Sequence, residues 1–133
     1  IDLAFHPQNS NVVFACTRNG FSKTTDGGST WRQIQSGYFT SVALKPFDPS
    51  VVYAIGVDRA NEANLIRFYK STNGGDSFSV KDGGWFSATP AERAAIKELA
   101  GVLAVTEADP NRVYALLVTE DKPDVPVKYQ GFI

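Results

Sequence analysis

The chain has few of the side chains that usually mark catalytic or metal sites. Its 133 residues contain one cysteine, one histidine and no methionine. Cys16 has no second cysteine for an internal disulfide, and its apolar run is typical of a small buried side chain. His6 has no histidine or cysteine at ligand spacing, so we predict no metal site and no cofactor.

One-sided charge and long apolar runs are also lacking. There are 13 basic residues and 14 acidic residues, so no positive field would attract nucleic acid. The apolar runs are a few residues long, whereas a membrane-spanning helix needs about 20. We therefore expect no nucleic-acid partner and no membrane span. The apolar content of 43% is sufficient for a packed core.

A repeat is the strongest signal that the sequence does contain. K-T-T-D-G-G-S-T-W at 23–31, the first glycine turn, recurs as K-S-T-N-G-G-D-S-F at 70–78, the second glycine turn. The spacing of 47 residues (70 − 23) matches one four-stranded propeller blade, which has about 40–50 residues. The paired glycines allow the positive φ values of a tight hairpin. Trp31 and Phe78 are expected to pack between neighbouring sheets.

A second landmark, the Pro turn, precedes each strand-like V-V-Y-A run. It occurs at 5–15, 44–54 and 108–115, where Pro, Asp, Asn or Ser favours a turn between two strands. The predicted strands are 1–5, 12–17, 20–24, 30–34, 40–44, 51–57, 66–71, 77–80, 101–106 and 112–118.

These strands predict an all-β chain that forms part of a β-propeller, with two four-stranded blades and half of a third. The predicted units are blade 1 at about 1–35, blade 2 at about 39–81, a helical insertion at about 82–100 and half of blade 3 at about 101–133. A capping box at 89–92 predicts one short inserted helix near 90–99. Residues 131–133 align with 20–22, so the third glycine turn is expected beyond the chain, which we interpret as a fragment.

The glycine turns resemble the Asp-box, or BNR repeat, with its pattern S/T-x-D-x-G-x-T/S-W/F. Asn73 stands where the family has Asp, which keeps an acceptor and removes the charge. The matching positions are Thr24, Asp26, Gly28, Thr30, Trp31, Ser71, Asn73, Gly75, Ser77 and Phe78. The family includes sialidases, xyloglucan-cleaving propeller glycosidases, sortilin-type receptors and photosystem assembly factors. The resemblance is to its sortilin-like and propeller glycosidase-like secreted members, and it implies a structural role for these loops, distant from any catalytic face.

Function is expected on the opposite face of the propeller, because the long connections at 58–65, 81–100 and 119–130 lie there. The candidate ligand-binding residues on this face are Arg59, Glu62, Trp85 and Phe86. The two aromatic residues can stack on sugar rings or pack on the inserted helix. A glycosidase needs a pair of carboxylates, and none of the acidic residues there has the apolar setting that would raise its pKa. No catalytic residue is predicted in this segment.

The sequence therefore predicts a secreted or cell-surface bacterial propeller segment that binds a carbohydrate or protein ligand. The remaining blades of the same propeller are its other expected partners. One alternative is part of a propeller glycoside hydrolase whose catalytic carboxylates lie outside this segment. An intracellular assembly scaffold is a third interpretation.

Overall fold

The computed structural model of the chain describes residues 2–58, 65–81, 99–119 and 130–132. Every helix or strand among the described residues is a β-strand. The strands are β1 (Asp2–Phe5), β2 (Val13–Cys16), β3 (Gly20–Thr24), β4 (Arg32–Ser36), β5 (Tyr38–Leu44), β6 (Val52–Asp58), β7 (Leu65–Ser71), β8 (Ser79–Val80), β9 (Leu99–Val105), β10 (Val113–Thr119) and β11 (Gln130–Phe132).

The strands form three antiparallel sheets in which consecutive strands are neighbours. Sheet one has the order β1-β2-β3-β4 and sheet two the order β5-β6-β7-β8. Sheet three contains β9, β10 and β11, with β10 in the middle. Consecutive antiparallel strands of this kind can be joined directly, without a crossover connection. The predicted all-β fold with four-stranded sheets is confirmed.

The sheets stack because their central strands carry apolar side chains on both faces. All four residues of β2, Val-Phe-Ala-Cys, are buried, and successive side chains point to opposite faces of a strand. One core lies between sheets one and two and includes Phe14, Phe21, Phe39 and Tyr69. Burial of one such aromatic side chain contributes about 1.5–3 kcal/mol.

A second core lies between sheets two and three. It joins Tyr53 and Phe68 of sheet two to Leu103 and Val113 of sheet three. The rings of Tyr53 and Phe68 are stacked with centroids 5.8 Å apart. Sheet two is therefore covered on both faces by its neighbours.

Hydrogen bonds from side chains join the first strands of the three sheets. The Asp2 carboxylate on β1 accepts bonds from the Ser41 hydroxyl (3.1 Å) and the Val42 amide (3.0 Å) of β5. The Ser41 hydroxyl in turn accepts a bond from the Leu103 amide of β9 at 3.0 Å. In each case an oxygen of one sheet bonds the backbone of the next, so β1, β5 and β9 lie side by side.

The predicted helical insertion at about 82–100 overlaps the start of β9. β9 begins at Leu99, which pairs with Thr119, so residues 99–100 belong to a strand. Leu99 and Ala100 extend the ladder with β10, because they pair with Thr119 and Val118. The rest of the helix predicted near 90–99 lies outside the described residues.

The alignment of the last strand was also wrong. Phe132 was matched to Phe21, which pairs with Cys16. In the structure Phe132 pairs with Val113, which corresponds to Val13 of sheet one and not to Cys16. A strand of three residues has few contacts that could fix its register.

Candidate functional site

The glycine turns and the Pro turns lie at the same end of the sheets. In sheet one the Gly27 amide donates to the Asn11 carbonyl at 2.9 Å, and in sheet two the Gly74 amide donates to the Ser50 carbonyl at 2.7 Å. We call this end the turn face. The opposite end, from which the three long connections leave the sheets, is the long-loop face.

The first glycine turn is closed by its own side chains. The buried Thr24 hydroxyl donates to Asp26 Oδ1 at 2.8 Å and accepts the Gly28 amide at 3.0 Å. Asp26 Oδ1 also accepts the Thr30 amide at 2.9 Å, and Oδ2 accepts the Thr30 hydroxyl at 2.6 Å. Both oxygens of the carboxylate are therefore directed at the loop that contains it.

The second glycine turn has the same hydrogen bonds, except that in one of them the hydroxyl accepts instead of donating. The Ser71 hydroxyl donates to Asn73 Oδ1 at 2.8 Å and accepts the Gly75 amide at 2.9 Å. Asn73 Oδ1 accepts the Ser77 amide at 3.0 Å, and Asn73 Nδ2 donates to the Ser77 hydroxyl at 2.8 Å. An amide group thus replaces a carboxylate, because a hydroxyl can donate or accept.

These bonds also explain why the strands after the turns start late. Thr30 and Ser77 were predicted as the first residues of β4 and β8, which begin at Arg32 and Ser79 instead. The amides of Thr30 and Ser77 are bonded to the side chains of the turns and are not available to the ladder.

The lowered pKa of Asp26 indicates a structural role and not a catalytic one. The Thr30 hydroxyl, then the Thr30 amide and the Thr24 hydroxyl, lower the pKa of Asp26 to about 2. A general acid or base works best with a pKa near the operating pH. No group of three or more metal-ligating His, Cys, Asp or Glu side chains occurs in the part of the chain that the structure describes.

Sheet one covers the second glycine turn. The Phe14 ring lies against Gly75, where a Cβ atom would stand 2.6 Å from Phe14 Cε1. Lys23 Nζ donates to the Gly74 carbonyl at 2.9 Å and to Asp76 Oδ1 at 2.8 Å. The same ammonium lies 5.8 Å from the centroid of the Phe14 ring, within range of a cation–π interaction.

The aromatic residues that end the two turns differ in their surroundings. Phe78 packs edge-on against Phe21 of sheet one, with ring centroids 4.7 Å apart. Trp31 was expected to pack in the same way, but it is 45% exposed. That expectation was wrong for this chain, because no described strand lies on the face of sheet one that carries Trp31.

The sequence did not reveal which residues sheet one contributes to the second glycine turn. Phe14, Lys23 and Asp76 had no predicted role. A signal was present, because lysine opens both copies of the repeat and Gly75 leaves space for a large ring. Arg32 adds a second cation, with Nη2 3.0 Å from Asp76 Oδ1.

The buried cysteine is not a nucleophile. Cys16 is fully buried, and burial, followed by the charge of Asp2, raises its pKa to about 12. The thiol therefore stays protonated, whereas a reactive cysteine needs the thiolate.

The long-loop face is described only in part. The predicted ligand residues Arg59, Glu62, Trp85 and Phe86 lie outside the described residues. In sheet one this face is closed by a short turn in which Thr17 Oγ1 donates to the Gly20 carbonyl at 3.0 Å.

The stacked four-stranded meanders define a propeller fold, and a solved structure supports it. The chain is similar to the crystal structure of an ancestral GH74 enzyme, with 19% identity and a TM-score of 0.64. The match covers 86% of this chain and 16% of that chain, and at this identity it shows the fold alone. No family model and no curated protein matches the sequence. Among the described residues, no helix has the length and apolar character to cross a membrane.

Proposed function

We propose that the chain is a segment of a secreted or cell-surface Asp-box propeller that binds a carbohydrate or protein ligand through its long-loop face. The observation that carries this proposal is the closure of the turn face by internal bonds. Asp26 directs both carboxylate oxygens at Thr24 and Thr30, so this carboxylate is occupied within its own loop.

The hydrogen bonds of the glycine turns support the Asp-box identity. The hydroxyl at the first Asp-box position bonds the amide of the glycine in both copies, from Thr24 to Gly28 and from Ser71 to Gly75. We infer that the ten Asp-box residues hold the hairpins closed and do not take part in binding.

The positions of the strand ends also support a binding site on the long-loop face. β6 ends at Asp58 and β7 begins at Leu65, while β10 ends at Thr119 and β11 begins at Gln130, so the long connections leave from one end of sheets two and three. Long loops on a rigid scaffold are the usual location of binding residues. We therefore place the ligand near Arg59, Glu62, Trp85 and Phe86.

A propeller glycoside hydrolase is the second candidate. The similarity to an ancestral GH74 enzyme favours it. Because the chain spans 16% of that chain, the catalytic carboxylates of such an enzyme would lie on other blades. The remaining blades of the same propeller would then be partners of this segment.

A matched pair of aromatic variants tests the proposal. The double variant Trp85→Ala, Phe86→Ala removes rings from the long-loop face, and Trp31→Ala removes one from the turn face. After a glycan array identifies a binding sugar, titration calorimetry should show about a tenfold loss of affinity, near 1.4 kcal/mol, for the double variant alone. A loss confined to Trp31→Ala would contradict the proposal. Release of reducing sugar from the same glycan would favour the hydrolase.

A further inference from the structure

The contact between sheets one and two shows how one blade of this protein receives another. Sheet two offers the Gly74 carbonyl, the bare Cα of Gly75 and the Phe78 ring. Sheet one fills these positions with Lys23 Nζ at 2.9 Å from the carbonyl and with the Phe14 ring on the glycine. This contact therefore shows which side chains a neighbouring blade uses here: a lysine on the glycine carbonyl and an aromatic ring on the second glycine.

The same receiving positions occur on the first glycine turn, where no part of the chain that the structure describes covers them. Gly27 has a φ of 72° and Gly74 one of 70°, and Gly28 has a φ of 96° where Gly75 has 82°. A Cβ atom at Gly28 would meet only the ring of Trp31, at 3.9 Å. The two turns thus have one backbone shape, but among the described residues only the second has a neighbour that fills it.

Apolar residues of β1 extend this uncovered area. Leu3 is 53% exposed and Phe5 is 65% exposed. Their counterparts in sheet two, Val42 and Leu44, pack in the core that sheet two shares with sheet one. Leu3 and Phe5 therefore lie on the side of sheet one that faces away from sheet two. We call Leu3, Phe5, Gly27, Gly28 and Trp31 the open face.

The open face also contains a backbone amide, that of Leu3, which bonds a side chain of its own strand and not one of a neighbouring sheet. The amides of Val42 and Leu103 donate to side-chain oxygens of the preceding sheet. At the corresponding position, the Leu3 amide donates to the carboxylate of its own neighbour Asp2 at 3.0 Å. An acidic or hydroxyl side chain on the first strand of an incoming blade would complete the same pattern.

We propose that the open face docks a further blade of the same propeller, which places an aromatic ring of its second strand on Gly28 and a lysine of its third strand on the Gly27 carbonyl. This inference rests on the proposed function, in which the chain is one segment of a larger propeller. It goes beyond that proposal by assigning the docking residues and the chemistry of their partner.

The two joints differ in charge. Ser29 stands where sheet two has Asp76, so the incoming lysine meets a carbonyl and a hydroxyl but no carboxylate. Salt screens the attraction between two opposite charges more than it weakens the bond of an ammonium to an uncharged carbonyl. The joint at the open face is therefore less sensitive to salt than the joint at the second glycine turn.

Duplication of the chain's own first blade tests the docking. Asp2 pairs with Cys16 in sheet one as Ser41 pairs with Ile55 in sheet two, so the two blades are offset by 39 residues (41 − 2). Residues 1–39 placed before Ile1 therefore add one blade in register. The added blade carries its own Phe14 and Lys23. Trp85→Phe in the chain and Trp31→Phe in the added copy leave one tryptophan, Trp31 of the open face, as the reporter.

The expected result is burial of this tryptophan. Acrylamide quenching of Trp31 should fall about twofold relative to the unextended Trp85→Phe chain, with a blue shift of its emission, because its ring leaves water. The matched control carries Phe14→Ala and Lys23→Ala in the added copy alone and should restore most of the quenching.

Three outcomes would overturn the proposal. The first is equal quenching in the extended and unextended chains, and the second is equal quenching with and without the two alanines. The third is a blue shift of the unextended chain that grows with its concentration, which would assign the open face to a second copy. An extended chain without a cooperative melt counts as the first outcome. The quenching is measured without ligand, so failure of ligand binding at the long-loop face would leave this result unchanged.

Discussion

The two glycine turns share their internal bonds and differ in what covers them. In the second turn, Phe14 and Lys23 of sheet one seal Gly75 and the Gly74 carbonyl. In the first turn no residue that the structure describes covers the corresponding positions, yet the hydroxyl of Thr24 makes the same bonds as that of Ser71. Closure of the hairpin is therefore a local property of the turn, whereas burial of the turn depends on the neighbouring blade.

The largest expected difference between the turns concerns their glycines. Gly75→Ala combines positive φ with a Cβ atom 2.6 Å from the Phe14 ring, so we expect a loss of about 3 kcal/mol in the free energy of unfolding. Gly28→Ala has positive φ but open space and should cost only about 1 kcal/mol. Urea unfolding of both variants measures the difference. Equal midpoints would contradict the conclusion that Phe14 covers Gly75 while Gly28 is open.

The aromatic residues that end the turns should differ by a smaller amount. Phe78→Ala removes the ring that packs on Phe21 and should cost about 2 kcal/mol, less than a fully buried phenylalanine. Trp31→Ala removes a ring that is 45% exposed and should cost about 1 kcal/mol or less. The midpoints of thermal unfolding provide the comparison. A tryptophan variant that melts as low as the phenylalanine variant would show that Trp31 is covered.

The cations that reach Asp76 come next. Lys23 has a side chain 11% exposed and also bonds the Gly74 carbonyl, so Lys23→Met should cost about 1 kcal/mol. Arg32 is 66% exposed, and Arg32→Met should cost less than about 0.5 kcal/mol. Double-mutant cycles with Asp76→Asn at low and high salt measure both couplings. A larger coupling for Arg32 than for Lys23 would contradict the importance given to the buried lysine.

The smallest expected effect is a response to acid at the first turn. The pKa of Asp26 is lowered to about 2 by its bonds to Thr30 and Thr24, against an unfolded value near 3.8. A lowered folded pKa stabilises the protein above the unfolded pKa, and this contribution is lost as the pH falls from about 4 through 2. The pKa of Asp76 is also lowered, mainly by the hydrogen bond from Lys23. Protonation of Asp76 in acid therefore also reduces the stability of the folded state.

The variant Asp26→Asn isolates the first turn, because it copies Asn73 of the second. Thermal midpoints at pH 6 and pH 2 should lie closer together in this variant than in the parent chain. The matched variant Asn73→Asp should move the two midpoints further apart. An unchanged gap in both variants would show that the bonds of Asp26 do not affect its titration.

The strands and the turns were accessible from the sequence because their signals are local. The positions of Gly27, Gly28, Gly74 and Gly75 in a repeat, with a hydroxyl before them, indicated hairpins, and all four glycines have positive φ. The bounds of β3, Gly20–Thr24, agree with the prediction. Paired turns and alternating β-branched and aromatic runs are sufficient for such predictions.

Contacts between sheets were not accessible in the same way. Lys23 lies 51 positions before Gly74, and nothing in the local pattern shows that its ammonium reaches that carbonyl. The exposure of Trp31 also depends on which sheet neighbours it, since the similar residue Phe78 is packed. The start of β9 at Leu99 was missed because an apolar run fits a helix end or a strand equally well.

Hydrogen exchange with and without ligand can locate the binding site that we propose on the long-loop face. The probe is the glycan that binds most strongly on the array. We expect slower exchange in the long connections at 58–65, 81–100 and 119–130, and unchanged exchange in the glycine turns at 23–31 and 70–78. Protection that appears in the glycine turns on binding, with no change in the long connections, would contradict it.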